Sequence, residues 1–104
     1  MTDIGITNIE QQKLSSLLAR QPRVRKAVVY GSRAKGCNRR FSDIDLTLIG
    51  EELTQQDLRR LSLQIDDLLL PYEFDLSLYS NLTNEALIDH INRVGKTIYT
   101  RQDD

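Results

Sequence analysis

The sequence predicts an α/β fold, a small sheet with helices packed against it, and three observations carry that expectation. Two short segments, Asp43 to Ile49 and Glu73 to Tyr79, alternate polar and apolar residues as half-buried strands do. Three other stretches repeat their leucines and isoleucines at helical spacing. The two kinds of segment interleave along the chain and do not separate into blocks.

Taken in order, residues 7–21 begin with the capping residues Thr7 and Asn8 and place Leu14, Leu17 and Leu18 on one side. They predict a first helix, ended by Pro22. Residues 24–30 are β-branched toward their end and run into Gly31, which predicts a strand. Only a brief helix around Ser32–Lys35 fits the spacing that follows. The strand at 43–49 turns Ile44, Leu46 and Leu48 inward and stops at Gly50. Thr54 is an N-cap for a second helix, whose stripe runs through Leu58, Leu61, Ile65, Leu68 and Leu69 and stops before Pro71. A strand at 73–79 follows. Asn84 opens a third helix with Leu87, Ile88, Ile91 and Val94 inward and Gly95 as its stop. Lys96 to Thr100 complete a set of about four strands.

Composition bounds what such a chain can be. Ile, Leu, Val and Phe supply 31 of its 104 residues, more than a disordered chain of ordinary charge carries. That suffices for one core and one domain over residues 1–104, without a deep cleft between domains. No apolar run approaches the ~20 residues that cross a bilayer, and Met1 to Gly5 lack the basic start and apolar stretch of an export signal. Cys37 and His90 are the single cysteine and histidine. They exclude an internal disulfide and a Cys-cluster zinc site, and argue against His-based metal cages and Ser-His-Asp catalysis. The expected setting is the reducing cytoplasm. Any catalysis must use carboxylates, hydroxyls and backbone amides.

The net charge of −1 hides a divided chain. Residues 11–40 carry nine Lys or Arg and no acid, whereas residues 41–104 carry thirteen Asp or Glu against five bases. The division falls within the most informative stretch, Gly31 to Leu46. On a strand, residues i and i+2 share a face about 6.6 Å apart, so Asp43 and Asp45 project side by side while Ile44 and Leu46 anchor the backbone. Such a pair is either a solvated Asp-x-Asp on a strand edge or the ligand pair of a hard divalent cation, Mg²⁺ above all. Asp75, between Phe74 and Leu76, joins the same sheet face if the two strands are neighbours. Three converging acids suit a two-metal site, and Asp75 can also accept the proton of an attacking hydroxyl. Gly31 lets the chain turn closely past a ligand, and Ser32 opens a short helix whose N–H groups suit an anion. Arg33, Lys35, Arg39 and Arg40 add positive potential; Arg33 and Lys35 either reach phosphate or pair with a local acid.

Gly31-Ser32, ten residues, then Asp43-x-Asp45 resembles the nucleotidyltransferase superfamily of the polymerase-β type. The fuller string, Gly-Ser-Arg-Ala-Lys-Gly, five residues, Ser-Asp-Ile-Asp-Leu, is similar to its minimal nucleotidyltransferase branch. The resemblance continues through Phe74-Asp75-Leu76, where that family keeps a third acid, and the tail from Leu87 to Tyr99, so it spans roughly residues 24–100. It implies a mixed, palm-like sheet with helices packed on one side, ATP as substrate and Mg²⁺ at a two-metal site. The implied roles give Asp43 and Asp45 both metals or the nucleotide's metal, and Asp75 the second metal and the acceptor. Gly31 and Ser32 are implied to hold the β- and γ-phosphates. The implied reaction is in-line attack of a hydroxyl on the α-phosphorus, with release of pyrophosphate.

Relatives that modify antibiotics or extend nucleic acids use added domains to hold the acceptor, and this chain ends soon after its last strand. The expected acceptor therefore arrives on another protein. Minimal nucleotidyltransferases of this size resemble the antitoxin halves of two-protein modules, beside a helical HEPN-type toxin. By that resemblance the enzyme transfers AMP, once or several times, to a toxin hydroxyl, a tyrosine in the family reading. Two alternatives stay open: a module that neutralises its partner by contact alone, and a small-molecule nucleotidyltransferase working as a homodimer. Lys13, Arg20, Arg23, Arg25 and Lys26 lack interleaved aromatics and the chain has no Trp, so they suit a solvated face or a partner protein better than nucleic acid. Cys37 is read as a loop residue. His90, near a helix end where a cation is mildly favoured, is read as structural. Tyr30 and Tyr79 flank strand ends, where they line the site or simply pack.

Overall fold

The computed structural model describes residues 6–31 and 43–101. Its elements are α1 (Asn8–Ala19), β1 (Lys26–Tyr30), β2 (Ile44–Ile49), α2 (Gln55–Asp66), β3 (Phe74–Leu78), a single 3-10 turn (Tyr79–Asn81), α3 (Glu85–Val94) and β4 (Lys96–Thr100). The brief helix expected at Ser32–Lys35 lies outside the described residues.

Each helix starts where its capping chemistry is. Thr7 and Glu10 satisfy one another's backbone N–H groups ahead of α1, and Thr54 and Asp57 do the same ahead of α2. The Asn84 side chain accepts the Leu87 N–H ahead of α3. The Glu10 carboxylate also accepts the Tyr72 hydroxyl at 2.8 Å, which ties the first cap to the segment before β3.

The sheet has the order β3-β2-β1-β4. β1 runs antiparallel to both β2 and β4, while β2 and β3 run parallel, so the sheet is mixed. Parallel neighbours need a crossover, and α2 supplies it between β2 and β3. Ile44, Leu46 and Leu48 are buried as expected and join Ala27 and Val29 of β1 in the main core. Leu14, Leu17 and Leu18 of α1 and Leu61 and Ile65 of α2 cover that face. Each such side chain gains about 1.5–3 kcal/mol from leaving water.

Two expectations need correction. The helices do not all lie on one side of the sheet. Val28, out of phase with Ala27 and Val29, is buried outside the main core, and α3 packs on β1 there, with buried Ile91 and Gly95 nearby. A central strand flanked on both sides needs cover on both faces, and α3 provides the second. Gly95 ends α3 as expected, in an extended conformation that does not itself require glycine. The reason for glycine is close approach, since a Cβ there would strike the Ile91 carbonyl and the Val28 side chain. Finally, α2 stops at Asp66. The following turn tightens through Leu68 N–H to Ile65 and Leu69 N–H to Asp66, and Leu69 takes a left-handed φ of 56°. Leu68 is half-buried against the core, whereas Leu69 is 87% exposed and leaves the expected stripe.

Candidate active site

The antiparallel pairing of β1 with β2 sets the end of one strand beside the start of the other, with Tyr30 opposite Asp45. The parallel pairing of β2 with β3 sets Asp45 opposite Asp75. Adjacent strands are about 4.8 Å apart, so these two carboxylates share one face and one end of the sheet. Asp43 stands exposed two residues before Asp45, close enough for its charge to be felt there. All three predicted acids and Gly31 thus gather at one end of the sheet, on the face that α3 covers. Ser32, Arg33 and Lys35 lie outside the described residues, as do Cys37, Arg39 and Arg40.

Gly31 follows β1 with a left-handed φ of 78°. The space that a Cβ would fill is taken by the Asp45 carboxylate, with Oδ2 nearest. Glycine is required here twice over, by conformation and by room. The Gly31 N–H is donated to His90 Nε2 of α3 at 3.1 Å. In that contact the ring nitrogen is the acceptor. Tyr30 meets the same imidazole edge-on, with ring centroids 6.4 Å apart and planes at 79°. Of the two strand-end tyrosines, Tyr30 therefore borders the site. Tyr79 instead donates its hydroxyl to Asn92 Oδ1 at 3.3 Å.

The electrostatic surroundings act on Asp45. Burial raises its carboxyl above the ordinary range, and the neighbouring Asp75 and Asp43 charges raise it further. Carboxylates whose charges repel one another are hard oxygen donors of the kind that a divalent cation such as Mg²⁺ favours. In that sense Asp43, Asp45 and Asp75 fit the implied metal. In the side-chain positions shown, no three or more His, Cys, Asp or Glu side chains among the described residues are gathered closely enough to hold an ion.

The early basic block is dispersed. Arg23 pairs with the buried Asp57 at 3.1 Å, which extends the α2 cap into a small structural cluster. Together with the Thr54 N–H, which has the largest effect, that contact holds the Asp57 carboxyl below its ordinary range. Lys13 and Arg20 border a groove with Ile9, Leu17 and Leu68, on the helical side of the molecule. His90 is the site residue that sequence reasoning did not select. Its partner is 59 positions away, and only the placement of α3 on the second sheet face brings the two together.

The polymerase beta nucleotidyltransferase family model matches residues 12–104. No curated protein matches significantly. Among solved structures, a minimal nucleotidyltransferase shares 32% identity, with 90% of this chain and 94% of that one covered and a TM-score of 0.66. A chain of a toxin–antitoxin complex crystallised with AMP-PNP superposes with a TM-score of 0.72 at 22% identity, over 88% of this chain and 74% of that one. The complex of a tri-AMPylated HEPN toxin with its MNT antitoxin from Shewanella oneidensis gives a TM-score of 0.69 at 17% identity, over 92% and 74%. The last two likenesses are of fold. The family match spans both the strand that carries the paired aspartates and the strand that carries the third acid, and by it this chain belongs to the polymerase beta nucleotidyltransferase family.

Proposed function

We propose that this protein transfers AMP from ATP to a hydroxyl of a partner protein, a tyrosine of a HEPN-type toxin, and acts as the antitoxin of that pair. One observation carries the reading: Asp45 lies in register with Asp75 on one side and fills the space beside Gly31 on the other. A carboxylate pair and a close-approach turn thereby meet at one strand end, where a nucleotide triphosphate can lie against both. The fold shared with the antitoxin complexes supports the choice of partner.

In this reading Asp43 and Asp45 would hold Mg²⁺ and Asp75 would contribute to a second ion, which would supply positive charge against the phosphates. Gly31 gives the triphosphate close access to the strand end, and Ser32, Arg33 and Lys35 bind its phosphates. Asp75, exposed where Asp45 is half-buried, accepts the proton of the incoming hydroxyl. The acceptor oxygen forms a bond to the α-phosphorus as the bond from that phosphorus to the bridging oxygen breaks, and pyrophosphate leaves. Positioning and charge compensation supply most of the rate.

Intact-mass spectrometry of the partner toxin, after incubation with this protein, ATP and Mg²⁺, tests the reading. Mass gains in whole AMP units are expected, and they should vanish with Asp43→Asn combined with Asp45→Asn. If that double variant still protects cells from the toxin, contact and not transfer is how the protein acts.

A further inference from the structure

The hydrogen bond between Gly31 and His90 connects the turn at the end of β1 to the helix that covers the site face. Three features make it more than a passing contact. The imidazole is braced edge-on by Tyr30, the residue before the glycine. Its neighbour Ile91 is buried, which fixes the helix from which it projects. Most tellingly, the peptide that it holds belongs to the left-handed residue whose missing side chain makes room for Asp45. Rotation of that peptide would change how closely the Asp45 carboxylate packs against the turn. The Gly31 amide is part-buried, so its donor needs a partner that water supplies less readily there. Here the acceptor comes from another element and meets the amide at 3.1 Å.

We propose that His90 is a positioning residue: as a hydrogen-bond acceptor it fixes the Gly31 peptide, and through it the place of the Asp45 carboxylate. The functional consequence rests on the nucleotide-transfer reading above, whereas the geometric claim does not. His90 need touch neither nucleotide nor acceptor. Its role is to hold the strand end open at the spacing that a triphosphate and its metal require.

Two variants separate this role from simple packing. His90→Leu keeps an apolar body and removes the acceptor; His90→Gln offers a carbonyl oxygen at similar reach. The first readout is amide exchange at Gly31, followed by nuclear magnetic resonance on nitrogen-labelled protein without nucleotide. Exchange should quicken by about tenfold in His90→Leu and return toward wild type in His90→Gln. The second is calorimetric affinity for the α,β-methylene analogue of ATP with Mg²⁺, which should fall by about tenfold in His90→Leu and recover in His90→Gln, with both variants melting close to wild type. Unchanged exchange and unchanged affinity in a folded His90→Leu protein would overturn the proposal, as would loss of both without rescue by glutamine. Wild-type protein that binds no nucleotide would count against the transfer reading. Exchange at Gly31 would then decide the role of His90 in positioning the turn by itself.

Discussion

Neighbouring residues of β2 face two different environments. Ile44, Leu46 and Leu48 are buried beneath α1 and α2, while Asp45 stays half-exposed between Tyr30 and Asp75 on the face of α3. Loss of water stabilises the first set. The same loss, together with the neighbouring carboxylates, works against the ionised form of Asp45. One strand therefore anchors the fold through one face and holds repulsion on the other. Substitutions on the two faces should move stability and activity in different directions.

The largest effect belongs to Asp45→Asn. Transfer should drop on the order of a thousandfold, as when a main electrostatic contact of a transition state is removed. Stability in metal-free buffer at pH 7 should hold or rise. A raised carboxyl in the folded state means that the ionised group is disfavoured there, and asparagine removes that penalty. Melting curves and transfer rates on the same preparation check both halves. Leu46→Ala should do the reverse, losing about 2–5 kcal/mol in denaturant titration, with activity affected only as far as unfolding removes enzyme. Gly31→Ala should cross the divide. Its left-handed backbone and the Asp45 carboxylate in its Cβ space predict a loss of about 1–3 kcal/mol, with nucleotide affinity weakened in parallel.

The smallest effect is expected far from the site, at Asp57. Its carboxyl is held low by the Thr54 N–H and Arg23, so its contribution to stability is present at pH values above the ordinary carboxylate range. That contribution fades as acidification carries the solution down through the lowered folded value. Wild type and Asp57→Asn should therefore differ in melting temperature at pH 7 and converge in strong acid. A difference that grew on acidification would contradict the assignment.

Local chemistry explains which parts of the fold were legible. Thr7, Thr54 and Asn84 each cap a helix as read, because a capping side chain acts on N–H groups two or three residues away. The alternation around Ile44 and Phe74 revealed two strands, and with them the shared face of Asp45 and Asp75. Features set by distant partners were not legible. Leu69 continues the helical stripe in sequence, yet the chain has already turned, and only the packing of Leu68 decides that. The side of the sheet on which α3 lies depends on the burial of Val28, a residue indistinguishable in type from Val29. His90 follows from that placement and from nothing near it in the chain.

The most direct test of the central claim follows the phosphorus. ATP labelled at the α-phosphorus, or at the γ-phosphorus in a parallel reaction, is incubated with Mg²⁺, this protein and the HEPN-type toxin, and the label on the toxin is measured. AMP transfer predicts label from the α-position only, lost with Asp43→Asn combined with Asp45→Asn. Label arriving from the γ-position, or no label on a folded toxin with folded wild-type protein, would contradict it.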